Sequence, residues 1–93
     1  MRFEWDPKKA EINFLKHGVS FDEAKTVFDD LFFIDLYDPD HSDDENRFLI
    51  IGESIDQRRL IISYTEREKS VRIISARLTT SRERRDYENG RFE

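Results

Sequence analysis

Three stretches decide the fold: RFLIIGE at 47–53, RLIISYT at 59–65 and VRIISAR at 71–77. Each combines β-branched, aliphatic and aromatic residues and is bounded by charged or turn-forming residues, which is the composition of a strand. The gaps between them are short. Such gaps close antiparallel hairpins, because a parallel pair needs a crossover of a dozen or more residues. A fourth run, LFFIDLY at 31–37, precedes them across the Asp-rich loop DPDHSDDEN, which contains Pro39. These four runs predict an antiparallel meander.

Working outward, RFEW at 2–5 reads as a short strand with Phe3 and Trp5 on one side. Asp6-Pro7 then opens a helix. The Asp carboxylate accepts from free backbone N–H groups, and Pro is tolerated where no N–H is needed. The helix runs to about His17, and Gly18 is its stop. Ser20-Phe21-Asp22-Glu23 has the S-x-x-E pattern of a capping box and starts a second helix, with Phe21, Ala24, Phe28 and Leu31 as its buried stripe and Asp29-Asp30 as its end. Downstream, Thr80-Ser81-Arg82-Glu83 is a second capping box, and a last helix runs to about Asn89-Gly90. Tyr87 is its only large apolar residue, so this helix is either loosely docked or meant to meet a partner. The order β-α-α-β-β-β-β-α predicts an α+β sandwich: two N-terminal helices on one face of a four-stranded antiparallel sheet, with a short N-terminal strand and a C-terminal helix. No repeat or linker divides the chain, so residues 1–93 are expected to form one domain.

Composition narrows the function. Hydrophobic residues make up 37% of the chain and aromatics 13%, enough to build a core. Cysteine is absent, so no disulfide or thiolate metal site is possible, which fits a reducing compartment. The N-terminus carries charge where a signal peptide needs an apolar run, and no apolar stretch approaches membrane length. A soluble, cytoplasmic protein is expected, with no membrane partner. The net charge of −5 argues against plain electrostatic binding of nucleic acid. That charge is uneven. Residues 1–57 carry 6 Lys/Arg against 15 Asp/Glu, and residues 58–93 carry 10 against 6. A polyanion would be welcome only in the C-terminal third. The acidic part can receive a basic protein partner, although most such charges are solvated surface.

Several residue groups could carry chemistry. Lys9, Asn13 and Lys16 fall at i, i+4 and i+7 on the first helix, with His17 beside them and Ala10 and Phe14 pointing elsewhere. Two cations, an amide and an imidazole can bind phosphate and move protons; an ordinary solvent face has the same spacing. Arg67 and Arg77 stand at strand ends and could converge on one phosphate through their planar forks, or form edge salt bridges with Glu66, Glu68 or Glu83. Simple alternation groups Arg67 with Thr65 and Ser63, and Arg77 with Ser75 and Ile73. Whether the two share a face depends on the hairpin register at 66–70, since a one-residue slip reverses it. His41 lies among acidic residues and can act as acid or base, or cap a turn. No metal site is expected: the two histidines are 24 residues apart, and the Asp38, Asp40, Asp44 series lacks the Gly and Glu of a calcium loop. There is no Cys nucleophile, no glycine-rich phosphate loop and no serine elbow. The residues alone therefore describe a compact α+β domain with candidate phosphate-binding groups.

Much of the chain resembles a known family. FEWDPKKA with Asn13 and KHGVSFDEA, then PDHS with Glu45 and RFLIIG, then SYTER, RIISAR and ERRDYE, are similar in order and spacing to the BrnT toxins, over about residues 2–88. The resemblance implies a RelE-like fold and a ribonuclease that cleaves RNA without metal or cofactor and inhibits translation. It implies a BrnA antitoxin as partner, with a ribbon-helix-helix part through which alone operator DNA is reached. A heterotetramer around an antitoxin dimer is then expected, with an antitoxin segment covering the sheet or the acidic helices. It places Lys9, His17, Arg67 and Arg77 in the active site, with His41, Glu83 and Tyr87 further out and Asn13 and Lys16 as binding residues. Attack by a 2′-hydroxyl on the adjacent phosphate needs a base, an acid and stabilisation of negative charge. Arg67 and Arg77 would hold the charge and Lys9 or His17 would move protons. The substrate's own 2′-hydroxyl would explain both the missing protein nucleophile and the sparing of DNA. Two other readings stay open: a catalytically weak homologue that complexes the antitoxin and tunes repression, and a standalone phosphate-ligand binder.

Overall fold

The structure, a computed structural model, describes residues 1–90; residues 91–93, the end of the expected domain, lie outside the described residues. The elements are β1 (Arg2–Glu4), α1 (Pro7–His17), α2 (Phe21–Ala24) continued by a 3₁₀ turn (Lys25–Asp29), β2 (Ile34–Tyr37), β3 (Arg47–Glu53), β4 (Arg59–Arg67), β5 (Ser70–Leu78) and α3 (Ser81–Glu88). No helix among the described residues is long and apolar enough to cross a membrane.

The meander is present, but the sheet is larger than expected. Its order is β1-β5-β4-β3-β2. β2 to β5 pair antiparallel, and β1 adds a fifth strand parallel to β5, with Phe3 opposite Val71. The sheet is therefore mixed and five-stranded. Its inner face carries Ile50, Leu60, Ile62, Tyr64, Val71, Ile73 and Ala76, which meet Val19, Phe21, Ala24 and Val27 beneath the helices. Phe3 and Trp5 do point to one side: Phe3 packs edge-on to Phe28 and Trp5 edge-on to Phe21, with centroids 5.1 and 5.8 Å apart.

Helix punctuation follows the sequence closely, with two informative departures. The Asp6 carboxylate accepts from Lys8 N at 2.9 Å, and Gly18 takes the left-handed cap at φ 69°. Thr80 and Glu83 make both halves of their capping box. Ser20 makes only one half. Its hydroxyl accepts from Glu23 N, while the Glu23 carboxylate turns away to accept from Ser54 Oγ at 2.7 Å and Arg58 Nε at 2.9 Å. The second departure is the helix itself, which tightens to 3₁₀ after one turn. Three residues per turn bring Phe21, Ala24 and Val27 inward, leaving Phe28 half-buried and Leu31 fully in solvent. The strand expected at 31–37 begins only at Ile34, because the Asp30 carboxylate accepts from Phe32 N and folds residues 31–32 into a turn. Gly52 is what lets this junction sit against β3: a Cβ there would lie 2.9 Å from both Asp30 Oδ2 and a Val27 methyl.

Two features set the phase of β5. Ser63 pairs with Ser75, but Tyr64 pairs with Ile73, so Ile74 is an extra residue in a β-bulge. Val71 and Ile73 point inward before it and Ala76 after it, leaving Ser75 and Arg77 on the outer face. Simple alternation, which groups Arg77 with Ile73, fails at this bulge. Asn13 then fixes Ala76. β1 ends opposite Arg72, so the edge of β5 further along has no strand beside it. The buried Asn13 amide fills that place: Nδ2 donates to Ala76 O at 2.8 Å and to Val19 O at 3.1 Å, and Oδ1 accepts from Ala76 N at 3.1 Å. Asn13, expected on a ligand-binding stripe, is spent on the fold.

Asn13→Ala strands three buried backbone groups, each costing about 1–3 kcal/mol when unsatisfied. Urea denaturation should show a loss of about 3 kcal/mol or more. A loss below about 1 kcal/mol would show that water replaces the amide. A second prediction concerns acid. The hydrogen bond from Arg58 holds the Glu23 carboxyl below its ordinary value of 4.5 against the opposing effect of burial. The unfolded chain therefore takes up this proton first as pH falls. The stabilisation is complete above the ordinary carboxylate value and disappears as pH drops through the lower folded value. The stability gap between wild type and Glu23→Gln, measured by urea midpoints, should shrink between pH 7 and pH 3; an unchanged gap would contradict this.

Candidate active site

The outer face of the sheet, away from α1 and α2, holds a cavity of about 220 Å³. Its floor follows from the register: Leu49, Ser63 and Ser75 lie side by side on three strands, and Ile61 lies beside Arg77. Its walls are Arg77 and Glu83 on one side, with Asp38 and His41 from the loop after β2 on the other.

Arg77 is held by α3. Its Nη1 and Nη2 donate to Glu83 Oε1 and Oε2 at 2.9 and 3.0 Å, and Nη1 also donates to Leu78 O at 3.1 Å. Glu83 is in turn fixed by its capping role, accepting from Thr80 N at 2.8 Å. The Arg77 hydrogen bonds hold the Glu83 carboxyl below the usual carboxylate range in spite of burial, and Glu83 raises the Arg77 value further. The pair is therefore ionised at neutral pH. A guanidinium has five N–H donors. Three are engaged here, so two remain for an incoming anion.

His41 Nδ1 lies 2.8 Å from Asp38 Oδ2. The loop that carries them is tied down: Ser42 Oγ donates to Asp38 O and accepts from Arg47 N at 2.9 Å, and Asp38 N donates to Arg47 O at 2.8 Å. A short 3₁₀ turn, Pro39–His41, presents the ring. With Nδ1 on a carboxylate, the exposed Nε2 is the nitrogen left to exchange a proton with a bound molecule.

The other sequence candidates fall elsewhere. Arg67 shares the outer face with Arg77, but the register puts Arg67 opposite Ser70 and Arg77 opposite Ile61. Six residues of strand separate them, about 20 Å. The expected convergence of the two on one phosphate does not occur, and Arg67 lies 3.6 Å from Glu45 instead. Lys9 and Lys16 are exposed on α1, which packs on the opposite face of the sheet, and His17 sits half-buried in its last turn. Lys16 and His17 there complement the helix dipole. Tyr87 lies outside the cavity. Its hydroxyl donates to Asp30 Oδ2 at 2.5 Å, and burial, with that hydrogen bond, pushes its pKa up to about 12. Among the described residues no three His, Asp or Glu side chains gather as a metal site would. Sequence reasoning passed over Ser63 and Ser75. The signal was the IIS triplet shared by RLIISYT and VRIISAR, a hydroxyl set among aliphatics on two neighbouring strands.

Comparison with known proteins identifies the family. A family model described as "Ribonuclease toxin, BrnT, of type II toxin-antitoxin system" matches residues 5–83, which include every residue lining the cavity. No curated protein matches the chain. Among solved structures, the 1.1 Å crystal structure of the Brucella abortus ribonuclease toxin BrnT superposes with a TM-score of 0.64 at 21% identity, covering 87% of this chain and 99% of that one. The fold is shared, and the match over residues 5–83 meets the expectation raised by the ordered motifs from FEWDPKKA to ERRDYE: the chain belongs to the BrnT family of ribonuclease toxins of type II toxin–antitoxin systems.

Proposed function

We propose that this chain is a metal-independent endoribonuclease that cleaves RNA in the outer-face cavity and thereby inhibits translation in the cytoplasm. One observation carries the assignment: Arg77 and His41 line the same cavity, and each is oriented by its own carboxylate. In this reading His41 Nε2 takes the proton of the substrate's 2′-hydroxyl as that oxygen attacks the adjacent phosphorus. The free N–H groups of Arg77 stabilise the charge developing on the phosphate. The bond to the 5′-oxygen breaks, that oxygen takes a proton from water, and a 2′,3′-cyclic phosphate remains. Asp38 and Glu83 are positioning residues, and Ser63 and Ser75 offer hydroxyls to the substrate. Arg67 stands about 20 Å along the sheet from Arg77, and Lys9, Lys16 and His17 lie on α1 across the sheet; these four are left to contacts with flanking RNA. The RelE-like character implied by the sequence resemblance belongs to the same proposal, as does one domain over residues 1–93.

The partner is a BrnA-type antitoxin with a ribbon-helix-helix part, joined in a heterotetramer around an antitoxin dimer. Operator DNA is reached only through that antitoxin, in keeping with a toxin whose own net charge is −5. A second reading, in which the chain complexes the antitoxin without cleaving RNA, draws support from the two carboxylates, Asp38 and Glu83, that line the cavity along with its one guanidinium.

Cleavage of a single-stranded RNA by the purified chain separates the two readings. Wild type should yield products ending in cyclic phosphate, with or without EDTA. Arg77→Ala should slow cleavage about 100-fold or more, the usual consequence of removing one donor to a developing oxyanion, and His41→Ala should slow it comparably. Absence of cleavage by a wild-type chain that still binds its antitoxin would favour the second reading.

A further inference from the structure

A second surface carries more apolar side chains than the first. Leu31, Phe32 and Ile55 are 91%, 76% and 75% exposed. They line two adjoining hollows of about 500 and 410 Å³ that share Phe32 and Tyr87. The exposure is built in. Ile55 N donates to Thr26 Oγ1 at 2.9 Å, and Phe32 N donates to Asp30 Oδ1 at 3.0 Å, so backbone hydrogen bonds pin both residues outward. Single exposed apolar side chains are ordinary, but a contiguous set around a groove marks an interaction surface. Its charge is one-sided. Among the described residues the lining includes Asp29, Asp30, Glu53 and Glu88 and no Lys, Arg or His. Asp30 is consumed by Tyr87 and the backbone, and Arg59 offsets Glu53 at 3.2 Å and Glu88 at 3.9 Å. Asp29 remains at the rim.

An apolar groove rimmed by carboxylates repels RNA and suits a protein segment that alternates large apolar with basic side chains. We infer that this groove is the seat of such a segment of the antitoxin. The inference rests on the antitoxin partner of the reading above, and not on catalysis. Another exposed apolar set, Ile12, Phe14 and Leu15, lies on α1 among Lys8, Lys9 and Lys16, with Glu11 as its neighbouring carboxylate, so its charge is mainly basic.

The test is titration of the purified chain with the antitoxin encoded in the adjoining reading frame. Phe32→Asp and Ile55→Asp should each weaken the complex about tenfold or more, as loss of a buried apolar anchor does. Asp29→Lys should weaken it too and reduce its sensitivity to salt, whereas Leu15→Asp should leave affinity within about twofold. These side chains are in solvent, so thermal midpoints should stay near wild type. Unchanged affinity in Phe32→Asp and Ile55→Asp would overturn the inference, as would a loss confined to Leu15→Asp. A chain that self-associates on its own, and turns monomeric with Phe32→Asp, would overturn it by assigning the groove to a second copy. RNA cleavage by the same variants should match wild type. A wild type that cleaves nothing would sink the catalytic reading while leaving the docking result intact.

Discussion

The site depends on one bulge. Ile74 is the unpaired extra residue of β5. Were it paired in regular alternation, Arg77 would continue the inward series begun by Val71 and Ile73 and would drive a guanidinium into the core, where an unpaired charge is prohibitively costly. The bulge instead delivers Ala76 to the core and Arg77 to the cavity. Asn13 locks this phase from the other side: its amide satisfies both backbone groups of Ala76, so a slip of one residue would leave buried donors and acceptors without partners. Core packing and site geometry are thus two consequences of a single register.

Carboxylates do most of the remaining organisation, and each serves two elements at once. Glu23 joins α2 to the β3–β4 turn through Arg58 and Ser54. Asp30 joins the end of the 3₁₀ turn to β3 and to Tyr87 of α3. Glu83 caps α3 and orients Arg77. α3, nearly devoid of apolar residues, is held by such polar ties rather than by a hydrophobic stripe. Glu83 and Tyr87 are four residues apart, on one side of the helix, so the same turn of α3 touches the cavity at one end and the acidic groove at the other. A segment bound at Tyr87 and a ligand bound at Arg77 therefore act on one short rigid body.

The parts legible in the sequence were those governed by local rules. Asp6-Pro7, Gly18 and Thr80–Glu83 mark helix ends because capping is decided within four residues. The strands at 47–53, 59–65 and 71–77 are visible because aliphatic runs between turns have few other uses. What was illegible depends on distant partners. Asn13 looks like a helix-surface amide until Ala76, 63 residues away, is placed beside it. Glu23 fits a capping box until Arg58 competes for its oxygens and wins with two charge-assisted bonds. Leu31 fits a helical stripe until the 3₁₀ turn rotates it into solvent. Arg67 and Arg77 are strand-end arginines in the sequence, but on two antiparallel strands joined by a hairpin those ends lie far apart.

The parallel pairing of β1 with β5 bears on how the molecule comes into being. Residues 2–4 have no strand partner until residues 70–72 exist, and Asn13 has none until Ala76 does. A chain emerging from the ribosome therefore carries β1 and Asn13 without their partners through most of its synthesis, and long-range closures of this kind are slow. Arg77 and its Glu83 bracket arrive later still. Nascent fragments contain neither the assembled cavity, which needs Glu83, nor the groove, which needs Tyr87 and Glu88. Both surfaces are therefore completed together, when α3 docks at the end of synthesis.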